Sequence, residues 1–211
     1  MTKEKKQAEI EQFKNGIFAL RTNFGELAQL MIMKRYHLQK STSKDYDLVE
    51  LDEMEHIIPV EVKFARAYKN PTSINESNVL YICSNCSVDI YSSNAPDQTD
   101  LFCNIQQINP DLFKKLYYGI FWSDKVEIFC IDENKHHLFP DSLSHFTTDE
   151  VYRKEIRKKI PYFYLQHNKK DYQFHLKKKS LTTHRRDFSK ESLTYEQLFD
   201  LFSAKECVFF H

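Results

Sequence analysis

Apolar positions recur at helical spacing near the N-terminus: Ala8, Ile10, Phe13, Ile17 and Leu20. That period predicts an amphipathic helix over 5–20. A second helix is predicted over 23–36, with Leu27, Leu30, Met31 and Met33 on its apolar side. Ser41, Thr42, Ser43 and Lys44 form a polar break. Residues 47–51 and 57–64 then read as strands on either side of a charged stretch, and they most simply form a β-hairpin. Pro59 brings no N–H to a ladder, so it demotes part of the second strand to an edge or a bulge.

Further along, 70–78 reads as a loop, 79–83 as a short apolar strand and 94–100 as another loop. Asn109 before Pro110 has the form of an N-cap followed by proline at the first helical position. The helix it predicts carries Leu112, Phe113, Leu116 and Tyr117. Residues 125–131 read as a strand. Thr147 and Glu150 have capping-box spacing ahead of a basic helix reaching about 159. Residues 161–167 and 172–178 alternate as two strands around a turn at 168–171. Thr194 and Gln197 form a second capping box, before a short helix ending near 203. The mixture predicts an α/β or α+β fold, with a small mixed β-sheet flanked by helices and a basic β-hairpin and helix region toward the C-terminus.

The 211 residues are 41% hydrophobic and 28% charged, which suits one folded domain spanning 1–211. The only glycines are Gly16, Gly25 and Gly119, so neither a GxGxxG dinucleotide fingerprint nor a P-loop can be built. No apolar run approaches the roughly 20 residues that span a bilayer. The charged N-terminus lacks the apolar core of a signal peptide, and the expectation is a cytoplasmic protein without a membrane partner. Five cysteines, an odd number, argue against a disulfide framework. Cys83 and Cys86 form a CxxC pair, which leaves open a zinc site or simply small buried thiols.

Charge becomes informative once it is mapped. The chain is formally neutral, yet residues 151–190 hold 13 basic and three acidic residues, a net of +10. Tyr152, Tyr162, Phe163, Tyr164, Tyr172, Phe174 and Phe188 interleave that block. A polyanion partner is the natural inference, with Lys177, Lys178, Lys179, Arg185 and Arg186 as candidates for gripping phosphates.

The candidate chemistry lies in the acidic half. Glu61 and Lys63 stand two residues apart in a strand and so project from one face. If the two hairpin strands pair, Asp47 reaches the same edge. Two carboxylates can then hold a hard cation such as Mg²⁺, with waters completing its shell. The lysine ammonium is suited to hydrogen-bond an attacking water or a scissile phosphate.

Asp47 followed by Glu61-Val62-Lys63 resembles the motif of the PD-(D/E)xK nuclease superfamily, although Tyr46 rather than proline precedes Asp47. The preceding helix, with Gly25 and Glu26, is similar to the acidic N-terminal helix of that superfamily. Ile105 to Phe113, followed by Asp124 to Phe129, is similar to the later core of small type II restriction endonucleases. The resemblance implies a restriction-endonuclease-like catalytic core over 20–131 and a basic DNA-binding region over 147–211 continuous with it. It implies Asp47 and Glu61 as ligands of Mg²⁺, Lys63 as the catalytic lysine and Glu26 as an accessory acid. Asp45 stays open as the alternative to Asp47. The implied activity is sequence-specific hydrolysis of double-stranded DNA by a homodimer. Two other readings remain open: a repair or structure-specific nuclease with the same core, and a non-catalytic nucleic-acid-binding protein with zinc on Cys83 and Cys86.

Overall fold

A computed structural model describes residues 2–20, 23–69, 90–94, 101–134, 163–165, 172–175 and 178–202. The expected strand at 79–83, the CxxC pair and the expected helix ahead of 159 lie outside the described residues. Helix α1 is Lys3–Ala19 and α2 is Phe24–Tyr36. Then come β1 (Gln39–Lys40), β2 (Leu48–Leu51), β3 (Ile57–Arg66), β4 (Tyr68–Lys69), β5 (Leu101–Phe102) and β6 (Asn104–Ile108). A 3-10 turn at Pro110–Leu112 leads into β7 (Lys115–Phe121) and β8 (Lys125–Ile131). Strands β9 (Phe163–Leu165) and β10 (Tyr172–His175) precede α3 (Lys178–Phe188), β11 (Ser189–Thr194) and α4 (Tyr195–Leu201).

Six strands form one sheet in the order β1-β2-β3-β7-β8-β11. Every pairing is antiparallel except β3 with β7, which is parallel from Val60–Lys115 to Arg66–Phe121. The sheet is therefore mixed and the class is α+β, as the sequence pattern predicts. Pro59 lies opposite Val49 in β3, one residue before the parallel ladder begins at Val60, where its absent N–H costs that ladder least. A second sheet, β6-β10-β9, includes the basic hairpin: Tyr172 pairs with Leu165 and Phe174 with Phe163.

The large sheet is buried on both faces. Ile10, Phe13 and Ile17 of α1, Leu27, Met31 and Ile32 of α2, and Leu198 of α4 pack against Val60, Val62, Tyr117, Val126 and Ile128. On the other face, Ile105 and Ile108 of β6 and Leu181 and Phe188 of α3 cover Leu116, Tyr118, Ile120 and Phe129. Local signals set the helix ends. Thr2 accepts from the Lys5 N–H at 3.3 Å ahead of α1. His37, at φ 57°, closes α2 in the left-handed conformation. The Thr194–Gln197 capping box forms reciprocally, at 3.1 and 2.8 Å.

Two expectations need correction. The helix predicted after Pro110 stops after a single 3-10 turn, and Leu116 and Tyr117 belong to β7. Their spacing fits a helix, but β7 runs between β3 and β8 and is buried along nearly its whole length, so both faces must be apolar. The strand expected over 172–178 ends at His175, Lys178 already belongs to α3, and residues 178–194 form α3 and β11. Because β11 pairs with β8, residues beyond 131 complete the main sheet. Among the described residues no helix is long and apolar enough to cross a membrane.

Candidate active site

The hairpin register ends with Leu48 opposite Val60, so Asp47 lies one residue before β2. Its backbone is held on both sides: the Asp47 N–H donates to the Val60 carbonyl and its carbonyl accepts the Ser41 N–H, each at 3.1 Å. The side chain turns onto β3. Asp47 Oδ2 accepts the Val62 N–H at 2.9 Å. Asp47 Oδ1 accepts from Gln29 Nε2 of α2 at 2.7 Å. A carboxylate only accepts, so the amide nitrogen of Gln29 must be the group that faces it.

Glu61 and Lys63 project from the β3 face opposite Val60 and Val62, as the strand period requires. Lys63 Nζ lies 2.6 Å from Glu61 Oε1. Glu61 is 9% exposed. Burial pushes its carboxyl above the ordinary glutamate value; the nearby Lys63 pulls it back and the negative charge of Asp47 raises it further. Two carboxylates share the site with one ammonium, so a cation between them would relieve the repulsion that Asp47 adds.

Among the described residues no group of three or more His, Cys, Asp or Glu side chains is placed to hold a metal ion. Mg²⁺ does not require one. It is commonly bound through one or two carboxylates, keeps several waters and takes the rest of its shell from substrate phosphate. Asp47 and Glu61 fit that donor set.

The other predicted residues fall elsewhere. Asp45 sits exposed in the turn before β2, where its N–H donates to Ser43 Oγ at 3.1 Å. Glu26 is exposed in the first turn of α2, and among the described residues no hydrogen bond or ion pair joins it to Asp47, Glu61 or Lys63. One turn on, Gln29 makes the contact instead. Arg185 donates to Glu127 Oε2 at 2.9 Å and lies over the Trp122 ring at 5.8 Å, so its charge is already engaged within the fold. Arg186 is exposed and pairs with Asp187 at 2.7 Å. Lys178 and Lys179 open α3, and Lys177 lies outside the described residues. Cys103 is buried and Cys130 half-buried, with burial pushing the Cys130 thiol up to about 11.

Gln29 was not among the expected site residues. The signal was present, since Gln29 follows Glu26 at i+3 and so shares its helix face. Glu127 was also missed. It is 6% exposed on β8 and receives Trp122 Nε1 and Arg185 Nη2, both at 2.9 Å, with Lys125 Nζ at 3.1 Å. No protein-family model, curated protein or solved structure matches the chain.

Proposed function

We propose that this chain is a Mg²⁺-dependent endonuclease of double-stranded DNA, a type II restriction enzyme with a restriction-endonuclease-like core. The observation that carries the reading is the tie between the Asp47 carboxylate and the Val62 N–H, which joins one acid to the backbone between Glu61 and Lys63.

Asp47 and Glu61 would hold the cation, which supplies Lewis-acid polarisation of the phosphate and of the attacking water. Gln29 and the Val62 N–H keep the Asp47 carboxylate from rotating away, so its free lone pairs have a fixed direction. Glu61 holds the Lys63 ammonium beside the same site. There it can donate to a non-bridging phosphate oxygen and offset the negative charge that builds as water attacks phosphorus and the sugar oxygen departs. The apolar residues around Glu61 lower the local dielectric and make that ammonium more effective than it would be in water.

The acidic site repels DNA until a cation is bound. Affinity therefore has to come from the +10 block at 151–190. Cutting both strands with one such site per chain favours a homodimer on a palindromic sequence. The test is incubation of the full chain with plasmid or phage DNA and Mg²⁺. Discrete fragments that vanish with EDTA support the proposal, and a smear points to a non-specific or structure-specific nuclease. Intact DNA that is still bound by the protein would leave only a binding function.

A further inference from the structure

We infer that Gln29 is a positioning residue that limits the Asp47–Glu61 site to one divalent cation. The inference rests on the metal-site reading above and adds a residue and a stoichiometry to it. Asp47 has two oxygens, and each accepts one hydrogen bond, from Gln29 Nε2 at 2.7 Å and from the Val62 N–H at 2.9 Å. The second donor is fixed in the backbone of β3. The first is a side chain from a different element, α2, and it approaches Oδ1.

Its chemistry decides what else can stand there. A side-chain amide nitrogen carries two donors and no acceptor, so it cannot ligate a cation and it repels one. A glutamate of the same length at this position would bring a third carboxylate onto Asp47. Such a carboxylate, with Asp47 and Glu61, would have the charge to hold a second ion. With glutamine, the fixed charges are two carboxylates and the Lys63 ammonium 2.6 Å from Glu61. One divalent cation turns that net negative charge positive, which suits a phosphodiester. A second has no acid to neutralise it.

Gln29 is anchored for this task. It is half-buried on α2 between Ala28 and the turn that carries Met31 and Ile32, all three of them fully buried against the sheet. The helix therefore cannot rotate Gln29 away without opening that core. Holding a metal ligand through its outer oxygen typically changes metal affinity 10–100-fold.

The experiment is an Mn²⁺ titration of the full-length, DNA-free protein, counting free Mn²⁺ by electron paramagnetic resonance. Wild type, Gln29→Leu and Gln29→Glu are compared, with metal-free melting curves to show that each is folded. The expected results are one Mn²⁺ per wild-type chain, one bound about 10-fold or more weaker in Gln29→Leu, and a second Mn²⁺ in Gln29→Glu. In Gln29→Glu the melting temperature should fall without metal and recover with Mn²⁺, a reversal that a packing role alone would not produce. Two Mn²⁺ in wild type, or variants that titrate like wild type, overturn the inference. A wild-type chain that binds no Mn²⁺ overturns it together with the metal-site reading. One Mn²⁺ and the expected variant behaviour without DNA cleavage upholds it and overturns the nuclease reading alone.

Discussion

The Asp47 carboxylate accepts the backbone N–H of Val62 at 2.9 Å, although the two residues are 15 positions apart. The contact replaces a strand-to-strand bond with a side-chain one, at the residue that separates Glu61 from Lys63. The position of Asp47 thus depends on the backbone of the strand carrying the other two groups. Asp47→Asn preserves the shape and one acceptor oxygen but removes the charge. It is expected to keep the fold and lose Mg²⁺-dependent cleavage by at least about 100-fold, the scale of a lost ligand-orienting or charge-stabilising group. Cleavage within a few-fold of wild type would show that Asp47 is not part of the reacting site.

Lys63→Ala should abolish cleavage and leave DNA binding nearly intact, because Lys63 belongs to the acidic site and not to the basic block. It also leaves a 9%-exposed carboxyl beside Asp47 without its ammonium. Glu61→Gln should do the opposite to stability. It removes an ionised group that burial disfavours, so the metal-free protein should melt higher while activity is lost. A Glu61→Gln variant that melts lower than wild type would mean that the Lys63 pair outweighs the burial cost.

On the face of the sheet that carries Glu61 and Lys63, His184 is fully buried on α3, with Nδ1 2.7 Å from the Tyr118 hydroxyl. Burial lowers its pKa from 6.5 to about 3, with a small opposing pull from Asp187. In the unfolded chain the imidazole takes up a proton near pH 6.5, whereas in the fold it does so only near 3. Its contribution is therefore fully present above pH 6.5 and is lost as pH falls toward 3, by an amount on the order of a few kcal/mol. Denaturant melts of wild type and His184→Phe at pH 7 and pH 4.5 measure this. The variant should lose less stability on acidification, and equal losses would show that another group governs acid unfolding.

Gly119 is fixed by close approach. A Cβ there would lie 2.2 Å from the Glu127 carbonyl oxygen and 2.3 Å from the Phe64 ring. The carbonyl belongs to the adjacent strand β8, so it cannot move without disturbing the ladder. Gly119→Ala should destabilise the fold by about 1–3 kcal/mol, the usual cost of overpacking, or more. Urea unfolding reads the change, and a variant as stable as wild type would show that β8 yields at little cost.

Much of this is legible in the chain, for local reasons. Thr194 and Gln197 announce α4 because a capping box needs only its own four residues. The hairpin and the shared face of Glu61 and Lys63 follow from a period of two. What the pattern hides depends on partners distant in sequence. Leu112, Phe113, Leu116 and Tyr117 have helical spacing, yet Leu116 and Tyr117 join β3, which lies more than forty residues earlier. Helix α3 buries Leu181, His184 and Phe188 on one side, but a histidine does not count as apolar until Tyr118 is known to meet it. Strand β11 offers Leu193 as its one large apolar residue. Gln29 is an ordinary helix surface residue until the hairpin brings Asp47 beneath it.

The members of the basic block are not equivalent. Arg185 shares Glu127 with Trp122 and Lys125, and Glu127 is only 6% exposed. Removing Arg185 leaves that carboxylate with less compensation, so Arg185→Ala should cost about 1–3 kcal/mol, below the range for a fully buried pair because the arginine is partly exposed. Weakened DNA binding in that variant would then report damage to the fold. Arg186 is exposed and its pair with Asp187 contributes little, so Arg186→Ala should leave stability within about 0.5 kcal/mol of wild type. Lys177, Lys178 and Lys179 add three charges in a row just before it. If these residues hold phosphates, replacing the three lysines and Arg186 by alanine should weaken binding at physiological salt. It should also flatten the salt dependence, by about one unit of slope for each phosphate no longer neutralised. Binding titrations at several salt concentrations, on a Lys63→Ala background so that the DNA stays intact, separate the cases. A basic segment that only solvates the surface leaves both affinity and slope where they were. That outcome would move the DNA grip away from residues 177–186, to the basic residues of 153–159 or to Lys169 and Lys170.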